Sequence, residues 1–169
     1  LISQYSSRAF SKTKEIIAFG LIALVLFSSS FKSRLIDRLA QFIPSVEGFR
    51  SHPYWDVSRY SWGYGTAAPG STGTITREQA FKDMVAHLMA DFATLSARIT
   101  RSLNINQWAA LLSFSYNAGI GSGLKMVTYI NAGNDSGLFA KMRQYIYAGG
   151  VINDELVERR EKEIGLWVA

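Results

Sequence analysis

The hydropathy pattern of this 169-residue chain changes its period twice, and this change constrains the fold most. Residues 33–43 carry apolar side chains at helical spacing, with charged and polar ones between them. The stretch from Phe49 to about Gly73 instead alternates Gly with Tyr and Trp and ends near a turn-like Pro69-Gly70-Ser71 cluster. Helical spacing then returns. The sequence therefore predicts an α+β fold, with a small antiparallel sheet placed early and a mainly helical lobe after it.

Boundary signals predict where the helices begin and end. We expect Pro44 to break the first helix, because proline has no N–H to donate, and a short turn carrying Glu47 to end at Gly48. Thr76 and Gln79 form a capping-box pattern at the start of a long helix. Later helices are predicted to start near Asn106, Ser122, Asp135 and Asp154. Three glycines are predicted to close helices: Gly119, Gly133 and Gly149.

The N-terminal part of the chain has a different character. Residues 16–27 contain no polar side chain, and basic residues flank them on both sides. The run is short for a spanning helix, which needs about 20 residues. We interpret residues 1–32 as a basic and hydrophobic, anchor-like segment whose hydrophobic helix, residues 16–31, associates with a membrane. A cleavable signal peptide and a buried helix of a larger assembly are alternatives; no small-x-small site follows the run, which disfavours cleavage. Residues 33–169 form the second predicted domain.

Charge and composition exclude several classes of function. The formal net charge is +5, which suits polyanionic partners such as nucleic acid, anionic lipid or an acidic cell wall. The basic residues form no dense run and no nucleic-acid motif occurs, so we expect no nucleic-acid partner. The chain has no Cys, which excludes thiol nucleophiles and Cys-type zinc sites, and its two His residues lack metal-ligand spacing. We therefore expect no metal site.

Two acidic residues flank the start of the predicted sheet. Glu47 and Asp56 are nine positions apart, and a strand returning along a cleft could bring their carboxyl groups to face each other. Cleavage of a glycosidic bond uses two carboxyl groups on opposite sides of the sugar. Glu47 has apolar neighbours in Val46 and Phe49, whereas Asp56 has polar ones, and such contrasting settings suit two different roles. The spacing alone is also compatible with two solvated surface acids.

Three segments of the chain resemble one family. EGFRSHPYWDVSRYSWGYGT, from Glu47 to Thr66, resembles the active-site segment of phage-type lysozymes, glycoside hydrolase family 24, where Glu-Gly, an aromatic before Asp and a Gly-aromatic-Gly turn occur in that order. Residues 103–121 look like the family's central helix, and residues 155–167 look like its arginine-rich C-terminal helix. Together they cover roughly residues 33–169. The resemblance implies a lysozyme-like fold and a muramidase without a cofactor, which hydrolyses the β-1,4 bond between N-acetylmuramic acid and N-acetylglucosamine in bacterial peptidoglycan.

The resemblance also implies the catalytic residues. Glu47 matches the family's general acid, and Asp56 matches its second catalytic carboxylate. Ser61 stands where the family has a Thr that helps to hold the attacking water. A serine hydroxyl can also bond a water, but its rotamer is less restrained than that of threonine. We therefore expect activity, with the inverting or retaining outcome left open.

Four further residues are candidates for the site, and the same resemblance implies the first two. Tyr116 and Asn117 fall where the family lines its sugar-binding cleft. Arg159 and Arg160 lie in the C-terminal helix, where either one could pair with Glu47 across the cleft. A solvated helix face is the simpler alternative for each arginine.

Two rival functions remain open at this level. A lytic transglycosylase cleaves the same bond without water and needs only one acidic residue, so Asp56 argues against it. A structural or wall-binding virion component derived from a lysozyme would fit the hydrophobic segment. The sequence leaves host lysis and virion entry as alternatives. For lysis we expect the protein in the host cell envelope, at the inner membrane or in the periplasm. For entry we expect it in a membrane-containing virion, beside other virion proteins.

Overall fold

A computed structural model describes residues 29–56 and 59–169. The chain divides after Arg34, and Leu35–Ala169 form the unit that contains the features below. Residues 16–28 of the predicted membrane-associating segment lie outside the described residues, so that expectation stays a prediction. Among the helices that the structure does describe, none combines the length and apolar character needed to cross a bilayer.

Helix α1 covers residues 29–46 and continues through Pro44, so the expected break is wrong. Pro44 lies in the last turn, where its missing N–H costs a single hydrogen bond near the helix end. The Glu47 N–H still donates to the carbonyl of Ile43 at 2.8 Å, which closes that turn. Leu35, Leu39 and Ile43 are buried at four-residue spacing and attach α1 to the core.

The predicted antiparallel sheet is present, with strands β1 (Arg50–Asp56), β2 (Arg59–Gly63) and β3 (Thr66–Ala67) in that order. Tyr54 pairs with Ser61 and Asp56 pairs with Arg59. The register is irregular between Arg50 and Tyr54, next to a proline that cannot donate to the ladder. Alternation along β1 places Tyr54 and Asp56 on the same face of the sheet.

Helices and a short hairpin follow the sheet, and the helices begin close to the predicted starts. They are α2 (Arg77–Ser96), α3 (Ile105–Ala118), α4 (Ile120–Asn131), α5 (Asp135–Met142) and α6 (Asp154–Val168). Thr76 caps α2 by accepting from the Gln79 N–H at 3.1 Å, but the Gln79 side chain donates to Asp83 instead of reaching back. The complete capping box is at the start of α3, between Asn104 and Gln107.

The glycine predictions are only partly right. Gly119 and Gly133 follow α3 and α4 with positive φ angles, as predicted. Gly149 does not close a helix: with Gly150 it forms the turn between two short strands, β4 (Tyr147–Ala148) and β5 (Val151–Ile152). The φ angles of Gly149 and Gly150 are 59° and 81°, as a two-residue hairpin turn requires. The Gly-Gly dipeptide between a Tyr and two β-branched residues is a sequence signal for this hairpin.

Helix α3 is the centre of the lobe. Every residue from Trp108 to Ser115 is buried, and α3 contacts α2, α4 and α6. Its last turn approaches the sheet, since the Tyr116 hydroxyl donates to the Tyr64 carbonyl at 2.8 Å. The end of α3, the end of α1 and the small sheet thus meet at one place.

Candidate active site

Glu47 lies in the bend that connects α1 to β1. Its side chain is 21% exposed, and Oε1 accepts a hydrogen bond from Arg159 Nη1 at 2.5 Å. The turn between β2 and β3 passes over the other oxygen: a Cβ on Gly65 would lie 3.7 Å from Glu47 Oε2. Gly65 has no side chain and adopts a φ of +90°, so only backbone approaches Oε2 from this turn.

Asp56 ends β1 as an exposed carboxylate. The Ser61 hydroxyl, which is fully buried, donates to Asp56 Oδ2 over a long 3.5 Å. Ser61 is the cross-strand partner of Tyr54, so it lies on the same face as Asp56. The sheet register therefore brings Asp56 and Ser61 together.

Tyr54 lies near both carboxylates, and the sequence analysis did not select it. Burial raises the pKa of Tyr54, and the negative charges of Asp56 and Glu47 raise it further. The Arg50 guanidinium lies 4.4 Å from the centre of its ring. The period-2 pattern of β1 already places Tyr54 on the face of Asp56, and this signal could have identified it.

The structure separates the two predicted cleft residues of α3. Tyr116 Cε1 and Glu47 Oε2 lie 4.0 and 3.7 Å from the same Cβ position on Gly65, and burial and the charge of Glu47 raise the pKa of Tyr116. The Asn117 side chain is instead engaged by α6, because its Oδ1 accepts from Arg160 Nη2 at 2.8 Å. Only Tyr116 lies beside Glu47.

The two arginines of α6 also have different partners. Arg159 pairs with Glu47. Arg160 does not hydrogen-bond Glu47 and instead donates to Asn117, so the predicted pairing of either arginine with Glu47 holds for Arg159 alone. Arg160 Nε lies 2.9 Å from Glu163 Oε2, and its Nη2 reaches Glu163 Oε1 at 3.2 Å. Neighbouring helical residues point about 100° apart, which is why only one of the two faces the bend after α1.

Glu163 is the second residue that the sequence analysis missed. It is fully buried, and its Oε1 accepts from the Ser113 hydroxyl at 2.7 Å and from Arg159 Nε at 3.1 Å. Burial raises the pKa of Glu163, whereas Arg160, Arg159 and Ser113 lower it. Its spacing of four from Arg159 and three from Arg160 is a sequence signal for such pairs.

This arrangement offers two carboxyl groups of different character. Glu47 is mostly covered and paired with one guanidinium, while Asp56 is exposed and contacts a hydroxyl. No cluster of three or more potential metal ligands occurs in residues 29–56 and 59–169. Two such carboxyl groups suit general acid chemistry on a bond that lies between them.

Comparison with known proteins identifies relatives. The family model described as phage lysozyme matches residues 44–163. The endolysin of Bacillus phage PZA is 30% identical over 133 residues, which are 74% of this chain and 51% of that protein. The SAR-endolysin of Escherichia phage Mu is 27% identical over 135 residues, covering 75% of this chain and 77% of the relative. The chain thus spans about half the length of the Bacillus phage relative.

Solved structures share the fold. The muramidase domain of SpmX from Asticaccaulis excentricus superimposes with a TM-score of 0.70 at 23% identity, covering 78% of this chain and 95% of that domain. An endolysin from Escherichia coli O157:H7 phage FAHEc1 gives 0.65 at 28% identity, with 75% and 87% covered. The expected lysozyme-like α+β fold is therefore confirmed. Since the family model spans most of the chain, from the last turn of α1 into α6, this protein belongs to the phage lysozyme family.

Proposed function

We propose that this protein is a muramidase that hydrolyses the β-1,4 bond between N-acetylmuramic acid and N-acetylglucosamine of bacterial peptidoglycan. The observation that carries the proposal is the approach of the turn at Gly65 to Glu47: a Cβ on Gly65 would lie 3.7 Å from Glu47 Oε2 and 4.0 Å from Tyr116 Cε1. The small sheet that contains this turn also carries Asp56, so both carboxyl groups lie on the side of the sheet that meets the end of α3. Membership of the phage lysozyme family supports the same reaction.

Glu47 is proposed as the general acid. Arg159 occupies its Oε1, whereas Oε2 lies next to Gly65, which has no side chain. Oε2 is thus the oxygen that carries the proton and donates it to the leaving glycosidic oxygen. Partial burial and a fixed rotamer suit this role, because a positioned acid within hydrogen-bond reach lowers the barrier.

Asp56 is proposed as the second carboxylate, with Ser61 as its helper. Asp56, at the exposed end of β1, stabilises the positive charge that develops on the sugar. The 3.5 Å separation between the Ser61 hydroxyl and Asp56 Oδ2 is long for an O–H···O bond, so this weak bond leaves both oxygens able to contact one water placed beside them. Arg159 supports the site through Glu47, and Tyr116 lines the sugar-binding side.

The proposed setting is the bacterial cell envelope. We propose that residues 16–31 associate with a membrane and bring the enzyme to the wall, either for host lysis or for virion entry. The similarity to the SAR-endolysin of Escherichia phage Mu supports envelope association. Fractionation of infected cells and of purified particles distinguishes the two settings, because entry requires the protein in the particle together with other virion proteins.

The activity is tested with purified peptidoglycan and three proteins: wild type, Glu47→Gln and Glu161→Gln. Glu161 is an exposed acid on α6 that pairs with Arg143, so its variant is a control for a lost surface charge. We expect Glu47→Gln to release products at least about a hundredfold more slowly, as for loss of a general acid, and Glu161→Gln to match wild type. Equal rates for Glu47→Gln and wild type would refute the proposal.

Product analysis separates the rival functions. Mass spectrometry of the wild-type digest is expected to show reducing muramic acid ends, which result from attack by water. Anhydromuramic ends would instead support a lytic transglycosylase. Binding of wild-type protein to the wall without any release of fragments would support a structural component.

A further inference from the structure

Helix α6 contains a buried carboxylate, that of Glu163, which does not contact Glu47 Oε2, the oxygen proposed to face the substrate. Glu163 has no exposed surface, and its donors are Ser113 on α3 and the two arginines that precede it on α6. An ionised carboxylate is costly to bury unless charged and hydrogen-bonded partners compensate for the lost water. Glu163 therefore depends on these arginines, and they depend on it.

The guanidinium of Arg159 is held from three directions. Its Nε donates to Glu163 Oε1 at 3.1 Å, and its Nη2 lies 3.4 Å from the Ser113 carbonyl oxygen. Its Nη1 donates to Glu47 Oε1. Because the guanidinium is a rigid plane, fixing Nε and Nη2 also fixes the direction of Nη1.

We propose that Glu163 is a positioning residue: it orients Arg159 so that Arg159 engages only one oxygen of Glu47 and leaves Oε2 free for the substrate. This inference rests on the proposed function. Without Glu163, the guanidinium could rotate and bind both oxygens of Glu47, since two-pronged binding is the preferred geometry of an Arg–carboxylate pair. Glu47 would then be turned away from its productive orientation.

Glu163 also balances charge at this place. Two guanidiniums and two carboxylates lie together, and removal of Glu163 would leave Arg159 and Arg160 opposed by Glu47 alone. Other charged or titratable groups are near this place. Those on β1 and α3 are Tyr54, Asp56 and Tyr116. Those on α6 line a cavity of about 360 Å³ together with Glu47, and they are Glu155, Glu158 and Lys162. The substitution leaves these groups unchanged, so a changed pH profile reports Glu163 and the arginines that it holds.

The test compares Glu163→Gln and Glu163→Asp with Glu161→Gln in the full chain, on purified peptidoglycan. For Glu163→Gln we expect kcat to fall about tenfold to a hundredfold with little change in KM, as for a misplaced catalytic group. The high-pH limb of its kcat/KM profile is expected to move to lower pH, because an excess positive charge favours the ionised form of nearby carboxyl groups. Glu163→Asp keeps the charge but is shorter, so its kcat is expected to fall while the limb stays in place.

A purely structural role gives a different result. The positioning proposal is wrong if Glu163→Gln unfolds at a lower temperature but keeps the wild-type kcat and pH profile. Where Glu163→Gln does not fold, the same result for Glu163→Asp overturns the proposal. Failure of both variants to fold would assign Glu163 to stability alone and would equally overturn it. The proposed function is judged separately, from wild type against Glu47→Gln, so the two ideas can fail independently.

Discussion

Two Arg–Glu pairs involving α6 differ mainly in burial, and this difference predicts a large contrast in stability. Arg160 and Glu163 are 1% and 0% exposed, whereas Arg143 and Glu161 are 52% and 51% exposed. The exposed pair has the better geometry, with two hydrogen bonds of 2.6 and 2.8 Å. The perturbation is the same in both places: Arg160→Met and Arg143→Met.

The expected magnitudes follow from what each substitution leaves behind. Arg160→Met leaves Glu163 buried with a single guanidinium and removes the donor from Asn117 Oδ1. Breaking a buried pair in this way costs about 3–5 kcal/mol. Arg143→Met leaves Glu161 in water, which costs about 0–1 kcal/mol. Domains of this size are stable by about 5–15 kcal/mol, so Arg160→Met should remove a large part of the total.

The assay is urea unfolding followed by tryptophan fluorescence, with the free energy of unfolding compared among wild type and both variants. The slope of free energy against urea should be the same for all three proteins, since a changed slope would indicate an altered denatured or native state. A difference between the two variants of less than about 1 kcal/mol would refute the reasoning. Burial would then not decide the contribution of these pairs.

Two further predictions concern Gly63 and Asp91. A Cβ at Gly63 would lie 2.8 Å from the Ala80 Cβ, and the φ of Gly63 is +60°. Gly63→Ala should therefore cost about 1–3 kcal/mol of stability and lower the melting temperature. Gly70→Ala is the control, because a Cβ there meets open space, and equal melting temperatures for the two variants would contradict the packing argument. Burial raises the pKa of Asp91, although His87, whose Nε2 lies 3.9 Å from Asp91 Oδ2, partly opposes this rise; no described donor hydrogen-bonds that oxygen, so wild type should lose stability as pH rises through the raised pKa. Asp91→Asn should therefore be more stable than wild type by about 1 kcal/mol near neutral pH, and no more stable at a pH below the pKa of Asp91 in the unfolded chain. Urea unfolding at both pH values measures this difference. A greater stability of Asp91→Asn at acid pH alone would contradict the prediction.

Local patterns in the sequence were sufficient for the architecture. The change of period at Phe49 identifies the sheet, and the helix starts at Asp135 and Asp154 agree with the structure. Capping and periodicity act over a few residues, so they can be read from the chain alone. Pro44 shows the limit of such local rules, since a proline that would break a helix interior is tolerated in the last turn of α1.

Glu47 and Asp56 were identified by the sequence itself, through their order and spacing within a segment similar to a known family. Their surroundings were decided only by the tertiary structure. Arg159 and Arg160 are adjacent and chemically identical, and only the packing of α6 against α3 determines that Arg159 faces Glu47 while Arg160 faces Asn117. Contacts between residues a hundred positions apart depend on how whole elements pack, and no local pattern in the chain carries that information.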